Sequence, residues 1–284
     1  MISSVWLLTI YCVLVLVASL AGGWLLLVIR PTHTRLQTAT SFVAGLMMGI
    51  ALLHFLPDAS EQLHSIDKAA GWVLGGFLAM FFLQRFFHFH HHDSPEGDPE
   101  DCDAQDHDGP HDHAHHAHTL ADKSAQHLSW IGIALGLTLH SLFDGMALAA
   151  SVAAGAHGQA KLAGLGVALV VILHKPFDSL AISTLMTAGG SSRFSRHLLN
   201  VLFSLASPAG AILFYFGAGQ FAESNALILG SALAFCAGTF LCIASADLLP
   251  ELQFHSHDRL KLSVALLLGL GVAVLIKQIE SGAV

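Results

Sequence analysis

The sequence predicts an all-α polytopic membrane protein: eight transmembrane helices built as inverted repeats, with both termini extracytoplasmic. Three observations predict it. Of 284 residues, 54% are hydrophobic and only 11% charged, a balance unlike that of domains folded in water, and mean hydropathy is +0.64. The apolar residues gather in eight runs long enough to cross a bilayer core. Polar motifs inside those runs recur between runs of opposite direction.

The runs cover residues 4–29, 38–57, 70–89, 128–154, 161–187, 197–220, 224–250 and 261–280. The first lacks the basic n-region of a signal peptide and is too long for its apolar stretch, so it counts as a helix. The second closes on "HFLPD" and the seventh on "ADLLPE". The fourth carries "HSLFDG" and the fifth "LHKPFDSLAI", with charged groups at mid-span. The sixth has no carboxylate, and the eighth is apolar up to Lys277.

Basic residues set the orientation. Arg30, Arg35, Arg85, Lys123, Arg193, Arg196, Arg259 and Lys261 follow spans 1, 3, 5 and 7, whereas only Lys68, Lys161 and Lys277 lie on the other side. The first set is therefore expected in the cytoplasm. The organisation follows: residues 1–89 hold helices 1–3, residues 90–127 form a His- and Asp-rich cytoplasmic loop too polar to fold alone, and residues 128–284 hold helices 4–8.

Composition also excludes functions. A net charge of −8 gives no basic surface for nucleic acid. No G-x-x-x-x-G-K-[ST] motif is present, so ATP-driven work by this chain is not expected. The four cysteines form no C-x-x-C, and three lie in apolar runs as small packing residues.

The internal likeness points to a site. Residues 134–148, "ALGLTLHSLFDGMAL", match 168–182, "ALVVILHKPFDSLAI", at seven of fifteen positions. Residues 44–58 match 237–251 at six of fifteen. Each pair joins spans of opposite direction, and inverted repeats place a transported substrate near the midplane between them. Residues i and i+4 share a helix face. His140 and Asp144 therefore project together from helix 4, and His174 and Asp178 from helix 5. Two imidazoles and two carboxylates suit Zn²⁺. The carboxylates also neutralise a dication, which offsets a cost of about 2.5–3.5 kcal/mol for each charged group at the centre of a membrane helix. Lys175 is expected to pair with Asp178 or Asp144 and to supply a fixed positive charge. Pro176 is either a packing kink or the source of a freed carbonyl at the site.

At these residues the sequence resembles the ZIP (Zrt/Irt-like) family of divalent-metal transporters over essentially the whole chain. "HSLFDGMALA" resembles the family's helix 4 signature, "HKPFDSLAI" sits where H-E-x-x-H is usual, and "HFLPD" and "ADLLPEL" resemble its helix 2 and helix 7 motifs. The resemblance implies that His140, Asp144, His174 and Asp178 form the first transport site. Ser141 and Lys175 fall where some members build a second. Lys175 replaces an acid and Asp178 a histidine, which favours one metal over two. The resemblance implies movement of zinc, or of iron, manganese or cadmium, toward the cytoplasm.

His54 and Asp58 are expected as entrance-side ligands, and Asp247 and Glu251 on the exit side, with His255 and His257 just beyond. Residues 88–118 contain ten histidines. Among them His90, His91, His92, His107, His111, His113, His115, His116 and His118 are expected to act as a weak, unselective metal buffer. Two other functions use similar residues. A cation-diffusion-type exporter typically has six helices and a cytoplasmic C-terminal domain. An intramembrane zinc-dependent hydrolase needs an open coordination position and a general base. Neither matches four ligands on consecutive helices, so the chain is not expected to be an enzyme. The expected partners are a divalent metal ion and the bilayer of the plasma (inner) membrane, with homodimerisation left open.

Overall fold

The computed structural model describes residues 4–28, 32–87, 120–157, 162–188, 190–219, 226–245 and 259–280. These form helices, with no strand among the described residues. Eight helices are long and apolar enough to cross a membrane. We number them α1 (Ser4–Val28), α2 (Thr34–Leu63), α3 (Ile66–Phe87), α4 (Leu120–His157), α5 (Leu165–Ala188), α6 (Arg193–Gly217), α7 (Ala226–Ile243) and α8 (Arg259–Glu280). Large apolar side chains such as Trp6, Phe86, Leu213 and Leu267 face outward, as lipid-facing surface does.

Several boundaries differ from the expected spans, each for a local reason. α2 runs past the expected end at residue 57 because Ala51–Phe55 widens into a π-turn that accommodates Pro57. Pro57 has no N–H for the Leu53 carbonyl, and the Lys277 ammonium of α8 donates to that oxygen instead. The helix stops at His64, a left-handed residue with φ 49°. α4 begins at Leu120, inside the segment expected as loop, although its membrane-length apolar part starts at Ile131. α5 starts at Leu165 rather than 161 because Gly164 takes φ +75°, which no helix continues. α6 begins at Arg193, where Ser192 caps it by accepting from the Ser195 amide at 3.1 Å. It is interrupted at Leu205, three residues before Pro208.

The tightest packing joins α2 to α8, α3 to α7, α1 to α5 and α4 to α6. Glycines set each of these contacts. A Cβ at Gly45 would collide with the Leu266 carbonyl, and one at Gly269 with the Phe42 carbonyl. Gly76 and Gly238 meet Phe235 and Val73 in the same way. At one constant sequence offset, Gly45 becomes Gly238, Gly76 becomes Gly269, Phe42 becomes Phe235 and Val73 becomes Leu266. The α2–α8 contact is thus repeated, residue for residue, as α7–α3. The other two pairs repeat likewise. Gly210 of α6 lies against Leu142 of α4, and Gly22 of α1 against Pro176 of α5. The segments "ASLAG" (18–22) and "ASPAG" (206–210) correspond. Small residues let helix backbones touch where no hydrophobic effect drives them together. The inverted repeat therefore extends over all eight helices, and Pro176 sits at a packing contact within it.

Candidate metal site

α4 and α5 each present one turn of the repeated motif toward the other. Their ligand-bearing atoms, one each from His140, Asp144, His174 and Asp178, lie within 4.8 Å of one another. Asp144 is fully buried and both histidines nearly so, whereas Asp178 is partly exposed. Asp144 Oδ2 lies 3.2 Å from His174 Nε2 and 3.5 Å from His140 Nε2, and Asp178 Oδ2 lies 3.8 Å from each. The two imidazole rings face each other with centroids 5.5 Å apart. In a tetrahedral zinc site with bonds of about 2.1 Å, neighbouring ligand atoms stand about 3.4 Å apart, so small side-chain shifts would close the set.

The backbone fixes one tautomer. His174 Nδ1 lies 2.9 Å from the Val170 carbonyl, which can only accept, so Nδ1 carries the proton. The neutral ring then turns the Nε2 lone pair toward a carboxylate oxygen. Two acceptors face each other across 3.2 Å unless a cation, proton or metal, sits between them. His140 Nδ1 and Asp144 Oδ1 are buried without a hydrogen-bond partner, a costly arrangement that an ion or its water would relieve.

Lys175 lies beside this set and is 1% exposed. Its ammonium donates to Asp144 Oδ2 at 2.5 Å, to Ser141 Oγ at 2.7 Å and to Asp178 Oδ2 at 3.4 Å. Both expected carboxylate partners are therefore present, Asp144 being the nearer. The ammonium also lies 5.3 Å from the centre of the Phe203 ring, a favourable place for a buried cation. Ser141 is held in turn by the Leu137 carbonyl at 2.8 Å.

The other expected ligands lie apart. His54 sits in the π-turn of α2, with Nε2 2.9 Å from the Ala273 carbonyl and Nδ1 3.0 Å from Glu280 Oε2. Asp58 is within electrostatic reach of Lys277, His54, Glu280 and Glu61. Glu280 was not singled out from the sequence. Its other oxygen accepts from the Gly166 amide at 3.2 Å, in the first turn of α5. An acid closing an apolar helix, one turn after Lys277, was the signal that marked it. Asp247, Glu251, His255, His257 and the histidines from His90 to His118 lie outside the described residues.

A family model described as "ZIP Zinc transporter" matches residues 4–277. The chain is 30% identical over 273 residues to Zinc transporter ZIP9-A of Xenopus laevis, covering 85% of this chain and 84% of that protein. It is 29% identical over 278 residues to Zinc transporter ZIP9 of Micropogonias undulatus, covering 87% and 85%.

Proposed function

Because this chain belongs to the ZIP zinc transporter family, we propose that it carries zinc across a membrane through the cluster of His140, Asp144, His174 and Asp178. One observation carries this reading. The Nε2 lone pair of His174 faces Asp144 across 3.2 Å with its proton committed to Val170, an arrangement that calls for a cation. Binding is coupled to proton release wherever a proton held that place before the metal.

One ion occupies the site. Lys175 supplies its own positive charge where a second dication would bind, so two carboxylates and one ammonium receive one Zn²⁺. The same nitrogen and oxygen donors also accept Cd²⁺, Mn²⁺ or Fe²⁺. The charge asymmetry supports extracytoplasmic termini, the family resemblance implies passage toward the cytoplasm, and the sequence carries no G-x-x-x-x-G-K-[ST] motif for ATP-driven work. His54 and Asp58 mark the entrance side, and Asp247 and Glu251 the exit side. The His-rich segment between α3 and α4 buffers metal in the cytoplasm.

Zinc uptake into proteoliposomes tests the proposal. The parent chain accumulates zinc down its gradient, and variants Asp144→Asn and His174→Gln, inserted to the same level, do not. Unchanged uptake by both variants would remove the cluster from the pathway. Uptake with cadmium, manganese and iron at two pH values then ranks the metals and shows whether protons move with them.

A further inference from the structure

The end of α1, the end of α5 and the start of α6 meet at one membrane boundary, where the apolar spans run to Trp24, to Thr187 and from Arg193. A cavity of about 300 Å³ opens between them, lined among others by Trp24, Ser183, Arg193, Arg196, His197 and Asn200. No carboxylate lines it among the described residues.

Each lining group offers a defined chemistry. Trp24 Nε1–H donates to His197 Nδ1 at 3.2 Å, which leaves His197 Nε2 as an N–H donor. Arg196 donates one Nη1 hydrogen to Thr187 Oγ1 at 2.6 Å, and the other edge of a guanidinium in such a pose can still bind bidentately. Arg193 is exposed at the first turn of α6. Asn200 is only 4% exposed, and its Oδ1 has no hydrogen-bond partner. Gly23 leaves room for this side chain, since a Cβ there would collide with it. Two guanidinium groups and an imidazole N–H call for an anion, and the orphaned oxygen calls for a donor on the same ligand.

We propose that this cavity binds the headgroup of an anionic, hydroxyl-bearing phospholipid of the phosphatidylglycerol kind: the phosphodiester on Arg193 and Arg196, a headgroup hydroxyl on Asn200 Oδ1. The bilayer is the source because the cavity opens at a membrane boundary, beside exposed apolar side chains of α1 and α6. Phe194 is 75% exposed, and Trp24 and Leu198 about half exposed, which suits acyl chains and the interfacial aromatic belt. Basic pockets between helices at a membrane boundary recognise such headgroups.

The occupied cavity bears on the ion-binding helix. The Ser204 hydroxyl donates to the Asn200 carbonyl at 2.7 Å, Ser19 and Ser204 hydroxyls lie 3.1 Å apart, and Ser19 and Ser179 hydroxyls 2.9 Å. Ser179 follows Asp178. Three buried serines thus connect the wall of the cavity to the helix that carries half of the metal site.

Native mass spectrometry of the purified full chain, titrated with phosphatidylglycerol, tests the proposal. The parent retains one phosphatidylglycerol, and Arg193→Ala/Arg196→Ala weakens its binding by about tenfold or more, as two lost cations imply. A control, Arg85→Ala/Arg259→Ala, binds as the parent does. Arg193→Gln, a change at an exposed position, gives an intermediate loss and keeps the test available should the double variant misfold. Equal affinity in parent and double variant overturns the proposal. So does phosphatidylethanolamine binding as tightly, since charge would then not be read, and so does displacement of the lipid by millimolar inorganic phosphate, which would make this a free-phosphate site. Zinc binding by the same samples is measured separately, so failure here leaves the metal-site proposal standing.

Discussion

Lys175 Nζ lies 2.5 Å from Asp144 Oδ2, closer than either histidine nitrogen comes to that oxygen. A metal ion and this ammonium therefore compete for one lone-pair region. In a site of low dielectric that competition lowers affinity, which a transporter needs in order to let its cargo go.

Removing the competitor is expected to tighten binding. Lys175→Met should bind zinc about tenfold or more tightly than the parent, a step of about 1.4 kcal/mol. Isothermal titration reads both affinity and count. One ion per chain is expected in the parent cluster, and two would contradict the role given to Lys175.

The two carboxylates are not expected to be equivalent. Asp144 is wholly buried and nearest both histidines, whereas Asp178 is partly exposed and 3.8 Å from each. Asp144→Asn should reduce metal affinity by about a hundredfold or more and Asp178→Asn by about tenfold, bracketing the usual effect of disturbing a metal site. Equal losses in equilibrium dialysis would mean that the ion draws Asp178 fully inward.

The touching glycines predict a selective loss of stability. Gly145→Ala drives a methyl into the Ser207 carbonyl, and Gly210→Ala drives one into Leu142. Each should cost about 1–3 kcal/mol, seen as a lower melting temperature in detergent. Gly75 has nothing within 4 Å of the added carbon. Gly75→Ala should leave the melting temperature unchanged or raise it, because alanine favours helix by about 0.5–1 kcal/mol.

Glu280 should matter to folding more than its terminal position suggests. It joins His54 of α2 to the first turn of α5. Glu280→Ala strands His54 Nδ1 and the Gly166 amide and should destabilise by about 1–3 kcal/mol. Glu280→Gln, which keeps an acceptor, should lose less. Thermal unfolding of the two variants side by side separates charge from hydrogen bonding.

The central cluster was legible in the sequence because its logic is local. His140 with Asp144 and His174 with Asp178 obey helical spacing, and the motif is written twice. The eight helices were legible from apolar length alone. Helix pairing was not, since lipid-facing and buried apolar residues look alike along a span. The backbone collisions at Gly22, Gly45, Gly76, Gly210, Gly238 and Gly269 reveal it, although "ASLAG" and "ASPAG" already carried part of the signal. Boundaries failed where a single residue overrides a trend: Pro57 absorbed by a π-turn, Gly164 at positive φ. Glu280 was missed because its partners lie far away in sequence.

Glycine brings α1 into backbone contact with α5, and α4 with α6. The proposed ligands are split between these two couples, one His–Asp pair on each. An ion held by all four would be a rivet between α4 and α5: any rearrangement that parted these helices by an ångström or two would loosen all four bonds at once.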